Sequence, residues 1–222
     1  MINNFIKLVL REKNLGLKNI SMLFAFSTFF ITSLLIFIFS LGSNMIMLDN
    51  IYKPFIWIIL IFSMMLSSDN FLQNDFNDGS LKELQFLGYS EEIIFLSKCL
   101  VMWTMIIIPV LFIIPLLVVF FNLDFLTTLN LLVTIFLATP SLTLISVLSS
   151  LFSIQLKRNK IIQFIIVFPF YIPVLIFSTS SNNFLEETNK SNNNFLILIA
   201  IFFITLPICI YISRLIIREI NK

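Results

Sequence analysis

Charged residues are nearly absent from long stretches of this chain. Between about residue 20 and residue 213, apolar runs, most of them 19 to 30 residues long, alternate with short polar segments. A bilayer core about 30 Å thick takes roughly 20 helical residues to cross, and a spanning helix satisfies its own backbone hydrogen bonds there. With 59% apolar residues and a mean hydropathy of +1.02, a soluble core of this size is not credible. The sequence predicts an all-α polytopic membrane protein.

The apolar runs predict six transmembrane helices within one membrane domain, residues 1–222. The expected spans are residues 21–41, 55–68, 99–121, 125–154, 161–181 and 195–213. The second run is short, so its helix must begin nearer Ile51, tilt, or lie where the bilayer thins. Twelve of the fourteen Lys and Arg residues fall on one side of this arrangement. The positive-inside rule therefore places both termini in the cytoplasm.

Residues 1–19 form a basic arm before the first span. Lys7, Arg11, Asn14 and Lys18 recur at helical spacing and form one polar stripe, with apolar residues on another face. This pattern predicts an amphipathic helix that lies in the plane of the membrane surface. The alternative is a basic arm that only fixes the orientation of the chain.

The longest polar insert, residues 69–98, is acidic and is expected on the cytoplasmic side. The dipeptide Asp78-Gly79 signals a turn, and Ser80 followed by Glu83 has the spacing of a capping box. These signals predict a short helix over residues 81–87 that ends at Gly88, after which Ser90 caps the next helix. The short helix has two interpretations: it inserts into a groove on a cytoplasmic partner, or it rests on the lipid interface.

Several classes of function are excluded or disfavoured by composition. The chain has no histidine and two cysteines, so it predicts no Cys/His metal site, no disulfide framework and no haem ligation by histidine. A net charge of +2 does not suggest nucleic acid. No phosphate-binding G-x-x-x-x-G-K-[ST] motif is present, so this chain is not expected to hydrolyse ATP. Ionisable residues occur in the spans only near their ends, which argues against an ion-coupled transporter.

Two further predictions concern uncharged residues of the spans. Serines 146, 149, 150 and 153 recur at a spacing that suits close packing between helices, and no base accompanies them as it would in a hydrolase. Trp57 and Trp103 lie near span ends, where they are expected to act as interfacial anchors.

Three separated blocks of the sequence resemble one known family. They are FIWIILIFSMMLSSDNFLQNDFNDGSLKELQFLGYS at 55–90, LATPSL at 137–142, and LKRNKIIQFIIVFPFYIPVLIFSTS at 156–180. These blocks resemble CcmB, the membrane permease family of the haem exporter in cytochrome c maturation. The resemblance implies an ABC-2-exporter-like permease in the bacterial inner membrane; a mitochondrial inner membrane is the alternative.

The resemblance also implies partners and a contact site. The expected partners are a CcmA-like ATPase that hydrolyses ATP in the cytoplasm, a CcmC-like haem-handling protein and a small CcmD-like subunit. Together they serve the loading or release of haem on the periplasmic chaperone CcmE, so haem is a handled substrate and this chain binds no cofactor. The short helix is expected to couple the permease to the ATPase. The candidate contact residues are Asp75, Asp78, Gly79, Ser80, Leu81 and Leu84. The alternatives are a permease for another substrate and a scaffold without a translocation path.

Overall fold

The computed structural model describes residues 2–18, 20–41, 45–156, 160–180 and 189–220, and the described residues are almost entirely helical. Eight helices lie within them. They are α1 (Ile2–Lys18), α2 (Ile20–Leu41), α3 (Met45–Asn77), α4 (Ser80–Phe86), α5 (Glu91–Phe121), α6 (Phe125–Leu156), α7 (Lys160–Thr179) and α8 (Asn189–Ile220). The predicted amphipathic arm is α1, and the all-α prediction is confirmed.

Each of the six predicted spans corresponds to one helix. Among the described residues, α2, α3, α5, α6 and α8 are long and apolar enough to cross a bilayer, and α7 contributes a shorter apolar segment, Val167–Thr179. Helix α7 has 20 residues in all, and at 1.5 Å per residue it is about 30 Å long. The basic residues Lys157 and Arg158, between α6 and α7, lie outside the described residues.

The second span differs most from its predicted limits. Helix α3 has 33 residues, begins at Met45 and continues through the acidic sequence as far as Asn77. No glycine or proline interrupts the chain between Phe55 and Asp78, so nothing breaks the helix before the turn. Helix α5 in turn begins at Glu91. The predicted loop of residues 69–98 therefore consists mostly of extensions of two long helices, and α4 occupies the short interval between them.

Helices α3 and α6 form the centre of the bundle. Helix α6 packs against α3, α5, α7 and α8, whereas only a small part of the residues of α2 and α8 is buried. Two serines of α6 lie at these interfaces: Ser150 Oγ donates to Ser68 Oγ at 2.9 Å, and Ser146 Oγ lies 2.7 Å from the hydroxyl of Tyr171. The prediction that the serines of this helix serve packing is confirmed for Ser146 and Ser150.

The two tryptophans do not behave alike. Trp57 is only 3% exposed and belongs to the main apolar core, so the prediction of an interfacial anchor is wrong for this residue. The neighbouring helices cover it, which hydropathy along one helix does not reveal. Trp103 is partly buried, and its indole N–H donates to Thr139 Oγ1 at 3.0 Å.

Three separate parts of the chain meet at one end of the bundle. Helix α1 packs against the beginning of α5, and α4 packs against α3 and α5 at the same end. Near the end of α8, Arg214 lies 3.4 Å from Glu92 in the first turn of α5. The amino-terminal arm, α4 and the carboxyl-terminal part of α8 are thus neighbours, as an even number of crossings requires.

Candidate functional site

Helix α4 is bounded by two glycines in the left-handed backbone conformation. Gly79 has φ of +72° and precedes the helix, and Gly88 has φ of +81° and follows it. Residues other than glycine adopt this conformation at a cost of about 1–2 kcal/mol. The predicted turn at Asp78-Gly79 and the predicted stop at Gly88 are confirmed, and the helix occupies Ser80–Phe86.

The predicted side-chain caps are wrong. Gly79, not Ser80, is the N-cap of α4, and the helix has no side-chain capping bond. The Ser80 hydroxyl instead donates to the backbone carbonyl of Asp75 at 3.0 Å. It therefore provides a hydrogen-bond donor for one of the last carbonyls of α3. Ser90 does stand at the N-cap of α5 in an extended conformation, but its side chain makes no capping bond either.

Helix α4 is seated on a small apolar cluster that is separate from the main core. Leu81 and Leu84 are buried against Leu8 of α1 and Ile94 of α5, and each of these four residues is at most 2% exposed. A helix of seven residues is too short to be stable alone in water. The position of α4 therefore depends on the arm and on α5.

The opposite side of α4 and the turn after it are exposed. Phe86 is 91% exposed and Leu87 is 70% exposed, and Lys82 and Glu83 are exposed beside them. Exposed large apolar residues in a charged surrounding are typical of a contact surface for another protein or for the membrane interface, so both interpretations of the short helix stay open. We call Phe86 and Leu87 the apolar tip of α4.

A group of buried charges lies beneath the turn that leads into α4. The ammonium of Lys98 donates to Glu12 Oε2 at 2.9 Å and also contacts Asp75 Oδ2. The side chains of Lys98 and Glu12 are 2% and 1% exposed, and that of Asp75 is 15% exposed. Arg11 lies 3.1 Å from Glu12 at the solvent side. Two cations thus balance two carboxylates where α1, α3 and α5 meet.

The structure separates the six candidate contact residues into distinct environments. Asp78 is exposed in the turn, Gly79 and Ser80 shape the start of α4, and Asp75 is paired with Lys98. The other two, Leu81 and Leu84, face the chain's own interior and do not present themselves to a partner. The docking role of these residues stays a prediction, but the exposed apolar side chains available for it are those of the apolar tip.

Sequence reasoning missed the partners of α4 within the chain. Leu8, Glu12 and Gly16 of α1 recur every four residues and so lie on one face. All three are buried, and an atom added at the Cβ position of Gly16 would lie 3.3 Å from Val101 Cγ1 of α5. The sequence did contain a signal for these contacts. Glu12 lies between Leu8 and Gly16 on one helix face, and this combination of residues indicates a face that contacts protein more than lipid.

Open spaces border the arm within the part of the chain that the structure describes. The described residues contain no group of three or more Cys, Asp or Glu placed to hold a metal ion. An apolar groove of about 380 Å³ lies between α1, α5, α6 and α8 and is lined mainly by residues such as Phe5, Trp103 and Phe202. A more polar cleft of about 560 Å³ lies between α1 and the turn before α4, and it is lined by Arg11 and Asp78 among others.

Comparison with protein families agrees with this architecture across nearly the whole chain. Residues 3–218 match the family model described as CcmB protein. This chain belongs to the CcmB family. The matched region contains nearly all of the helical bundle, including the arm and α4. The resemblance found in three blocks of sequence is therefore confirmed, and the chain is a multi-pass membrane protein of that family.

Curated relatives of this CcmB-family chain carry the name "Heme exporter protein B". The relative from Haemophilus influenzae is 24% identical over 176 residues, which cover 79% of this chain and 80% of the relative. The relative from Pseudomonas aeruginosa is 25% identical over 181 residues, covering 82% and 81%. The relative from Escherichia coli K12 is 28% identical over 153 residues, covering 69% and 70%.

Proposed function

We propose that this chain is the membrane permease subunit of an ABC-type haem exporter complex of cytochrome c maturation. It couples ATP hydrolysis by a separate, CcmA-like cytoplasmic subunit to haem delivery or chaperone release at the periplasmic face of the bacterial inner membrane. The observation that carries this proposal is the match to the CcmB family over residues 3–218. The relatives are named as haem exporter proteins, which supports the same substrate class.

The surface of α4 supports the coupling part of the proposal. A transmitted motion requires a rigid element that projects from the bundle and contacts the ATPase. Helix α4 is fixed from below by Leu81 and Leu84, and it presents Phe86 and Leu87 outward. A few side chains that fill well-packed pockets on the partner supply most of the binding energy of many interfaces. We therefore assign ATPase docking to the apolar tip, with Asp78 beside it, and a supporting role to the two buried leucines.

The shared end of the bundle supports the proposed orientation. Helix α4, the basic arm and the end of α8 lie together, and the arm carries Lys7, Arg11 and Lys13 while α8 carries Arg214 and Arg218. Basic residues are retained on the cytoplasmic side during insertion. Both chain termini and α4 then lie on the cytoplasmic side, where ATP is available to the ATPase. CcmC-like and CcmD-like proteins are the proposed membrane partners.

The docking proposal is tested by replacing the apolar tip in the full complex. Phe86→Ser combined with Leu87→Ser is expected to abolish co-purification of the ATPase and the maturation of c-type cytochromes, because the pocket-filling side chains are lost. The matched control is Phe125→Ser combined with Leu126→Ser, the same dipeptide exposed at the start of α6, at the far end of α5. If the ATPase remains bound and active with the altered tip, α4 is not the docking element.

A second experiment concerns the substrate. The complex is reconstituted in vesicles with ATP, and the movement of haem to the lumen is followed by absorbance of a haem-binding protein trapped inside. ATP-dependent arrival of haem supports translocation. Loading of the CcmE-like chaperone without any movement of haem across the bilayer contradicts a translocation path and leaves this chain as the energy-coupling scaffold of the complex.

A further inference from the structure

The buried charges at the base of α4 join three helices that are distant in sequence. Lys98 of α5 is 86 residues from Glu12 of α1 and 23 residues from Asp75 of α3, and its ammonium contacts both carboxylates. The ammonium also lies 5.4 Å from the ring centroid of Phe71 on α3. An ion pair at such depth loses much of its hydration, so it persists only with close and well-paired geometry.

The same face of the arm holds both the residue that supports α4 and the residue that binds Lys98. Leu8 contacts the underside of α4, Glu12 reaches Lys98 one turn later, and Gly16 approaches α5 after a further turn. Asp75 adds the third helix, since it pairs with Lys98 and its backbone carbonyl accepts the Ser80 hydroxyl at the first residue of α4. Every element that supports α4 is therefore connected to Lys98 by one or two contacts.

We propose that Glu12, Lys98 and Asp75 form an ionic lock that makes the arm, the end of α3 and the start of α5 move as one body with α4. In this proposal the three are positioning residues, which act through the angle at which α4 presents its apolar tip and not through contact with the ATPase or haem. This inference rests on the proposed coupling function of α4. It assigns to the amino-terminal arm a role in energy coupling beyond membrane anchoring.

Charge balance explains why the lock is sensitive to single changes. Glu12→Gln keeps the size and one acceptor of the side chain but leaves Lys98 paired only with Asp75, and it removes the partner of Arg11. Lys98→Met leaves two carboxylates buried without this cation, a costly arrangement. Glu92→Gln is the matched control, because it makes the same change to a more exposed pair with Arg214 at the same end of the bundle.

The test uses the full chain in lipid nanodiscs, alone and with its ATPase partner. In the chain alone, Glu12→Gln is expected to increase amide exchange over residues 80–87 by about fivefold and Lys98→Met by at least about tenfold, since local opening follows the loss of supporting contacts. With the ATPase, Glu12→Gln is expected to keep the ATPase bound and its ATP turnover near wild type, while cytochrome c maturation in cells that carry this variant in the complete system falls by about fivefold.

The outcomes distinguish this inference from the proposed function. Amide exchange over residues 80–87 that matches the Glu92→Gln control in both variants overturns the lock, whatever the activity. Faster amide exchange over residues 80–87 together with unchanged cytochrome c maturation in cells shows that loosening α4 has no functional effect, which overturns the positioning role. If altering the apolar tip does not detach the ATPase, the docking function fails, and the exchange result for the lock stands on its own. Should Lys98→Met fail to fold, Glu12→Gln carries the comparison.

Discussion

The ammonium of Lys98 donates a hydrogen bond of 2.9 Å to Glu12 across a separation of 86 residues, and both side chains are almost fully buried. Charged side chains are among the residues least often found at such depth, unless they are paired. The pair lies where the arm crosses α5, close to the seat of α4. The arm is therefore an integral part of the folded bundle, and this has consequences for stability that can be measured.

Replacing the cation of the buried group should destabilise the bundle strongly. Lys98→Met is expected to lower the free energy of unfolding by about 3–5 kcal/mol, because the buried carboxylate of Glu12 and the partly buried carboxylate of Asp75 lose their shared partner. Glu92→Gln, which removes the more exposed pair with Arg214, should change it by about 0–1 kcal/mol. Unfolding by SDS in mixed micelles, followed by tryptophan fluorescence, provides the measurement. Equal effects of the two substitutions would show that burial does not matter here.

Gly16 permits the close approach of α1 to α5. A Cβ at this position would lie 3.3 Å from Val101 Cγ1, so Gly16→Leu should force the arm away from α5. Cys99 of α5 is 4% exposed and shares a groove with Phe5 of the arm, so displacement of α1 should expose its thiol. In a Cys209→Ser background, maleimide is expected to label Cys99 faster in Gly16→Leu than in wild type. Asn14→Leu, on the exposed side of the arm, serves as the control and should leave the rate unchanged.

The conformation of Gly79 should decide which substitutions α4 tolerates. Its φ of +72° is accessible to asparagine at modest cost but strained for a β-branched residue. Apart from its neighbours in the chain, no atom lies within 4 Å of the position that a Cβ would take, so crowding by other parts of the protein plays no part. Gly79→Val is expected to reduce ATPase association more than Gly79→Asn does. Pull-down of the ATPase by the membrane subunit measures this, and the reverse order would contradict a backbone origin.

The hydrogen bond between Ser146 and Tyr171 joins α6 to α7 inside the bundle. Ser146→Ala and Tyr171→Phe are each expected to destabilise the protein by about 1 kcal/mol. Hydrogen bonds between membrane helices have coupling energies of roughly 0.6 kcal/mol on average, so the double variant should be less destabilised than the sum of the single variants by about that amount. A double-mutant cycle of SDS unfolding free energies measures the coupling. Strict additivity would mean that the contact contributes nothing.

Two exposed aspartates beyond opposite ends of α5 report the orientation of the chain. Asp78 lies in the turn before α4, and Asp124 lies between α5 and α6. In a background without the native cysteines, a membrane-impermeant maleimide added to intact cells is expected to label Asp124→Cys through the periplasm and to leave Asp78→Cys unlabelled. Labelling of Asp78→Cys from outside would place α4 away from ATP and would contradict the proposed coupling.

The sequence was sufficient for those features that are encoded locally. Apolar runs located the six long helices, and Gly79 and Gly88 located α4, because backbone preference at glycine depends little on distant residues. The capping role of Ser80 was predicted wrongly because a competing acceptor, the carbonyl of Asp75, is brought near only when the end of α3 folds.

The interior contacts of the arm depend on tertiary structure. Glu12 on an otherwise amphipathic helix gives no indication of its partner, since Lys98 lies far along the chain at the start of another helix. Trp57 was wrongly predicted to be an interfacial anchor for a similar reason. The sequence shows that Trp57 lies near the end of a span, but it does not show that neighbouring helices cover its side chain. The candidate site was thus located correctly in the chain, while its exposed and buried faces required the structure.

The dependence of α4 on its neighbours limits how its recognition can be studied. With seven residues, glycines at both ends and no side-chain cap, an isolated peptide of residues 78–90 should be mostly unstructured in water. Such a peptide would have to order itself on the ATPase and would bind more weakly than the intact subunit. Competitive inhibitors that mimic this element will need an added constraint, such as a covalent staple, that replaces the support of Leu8 and Ile94.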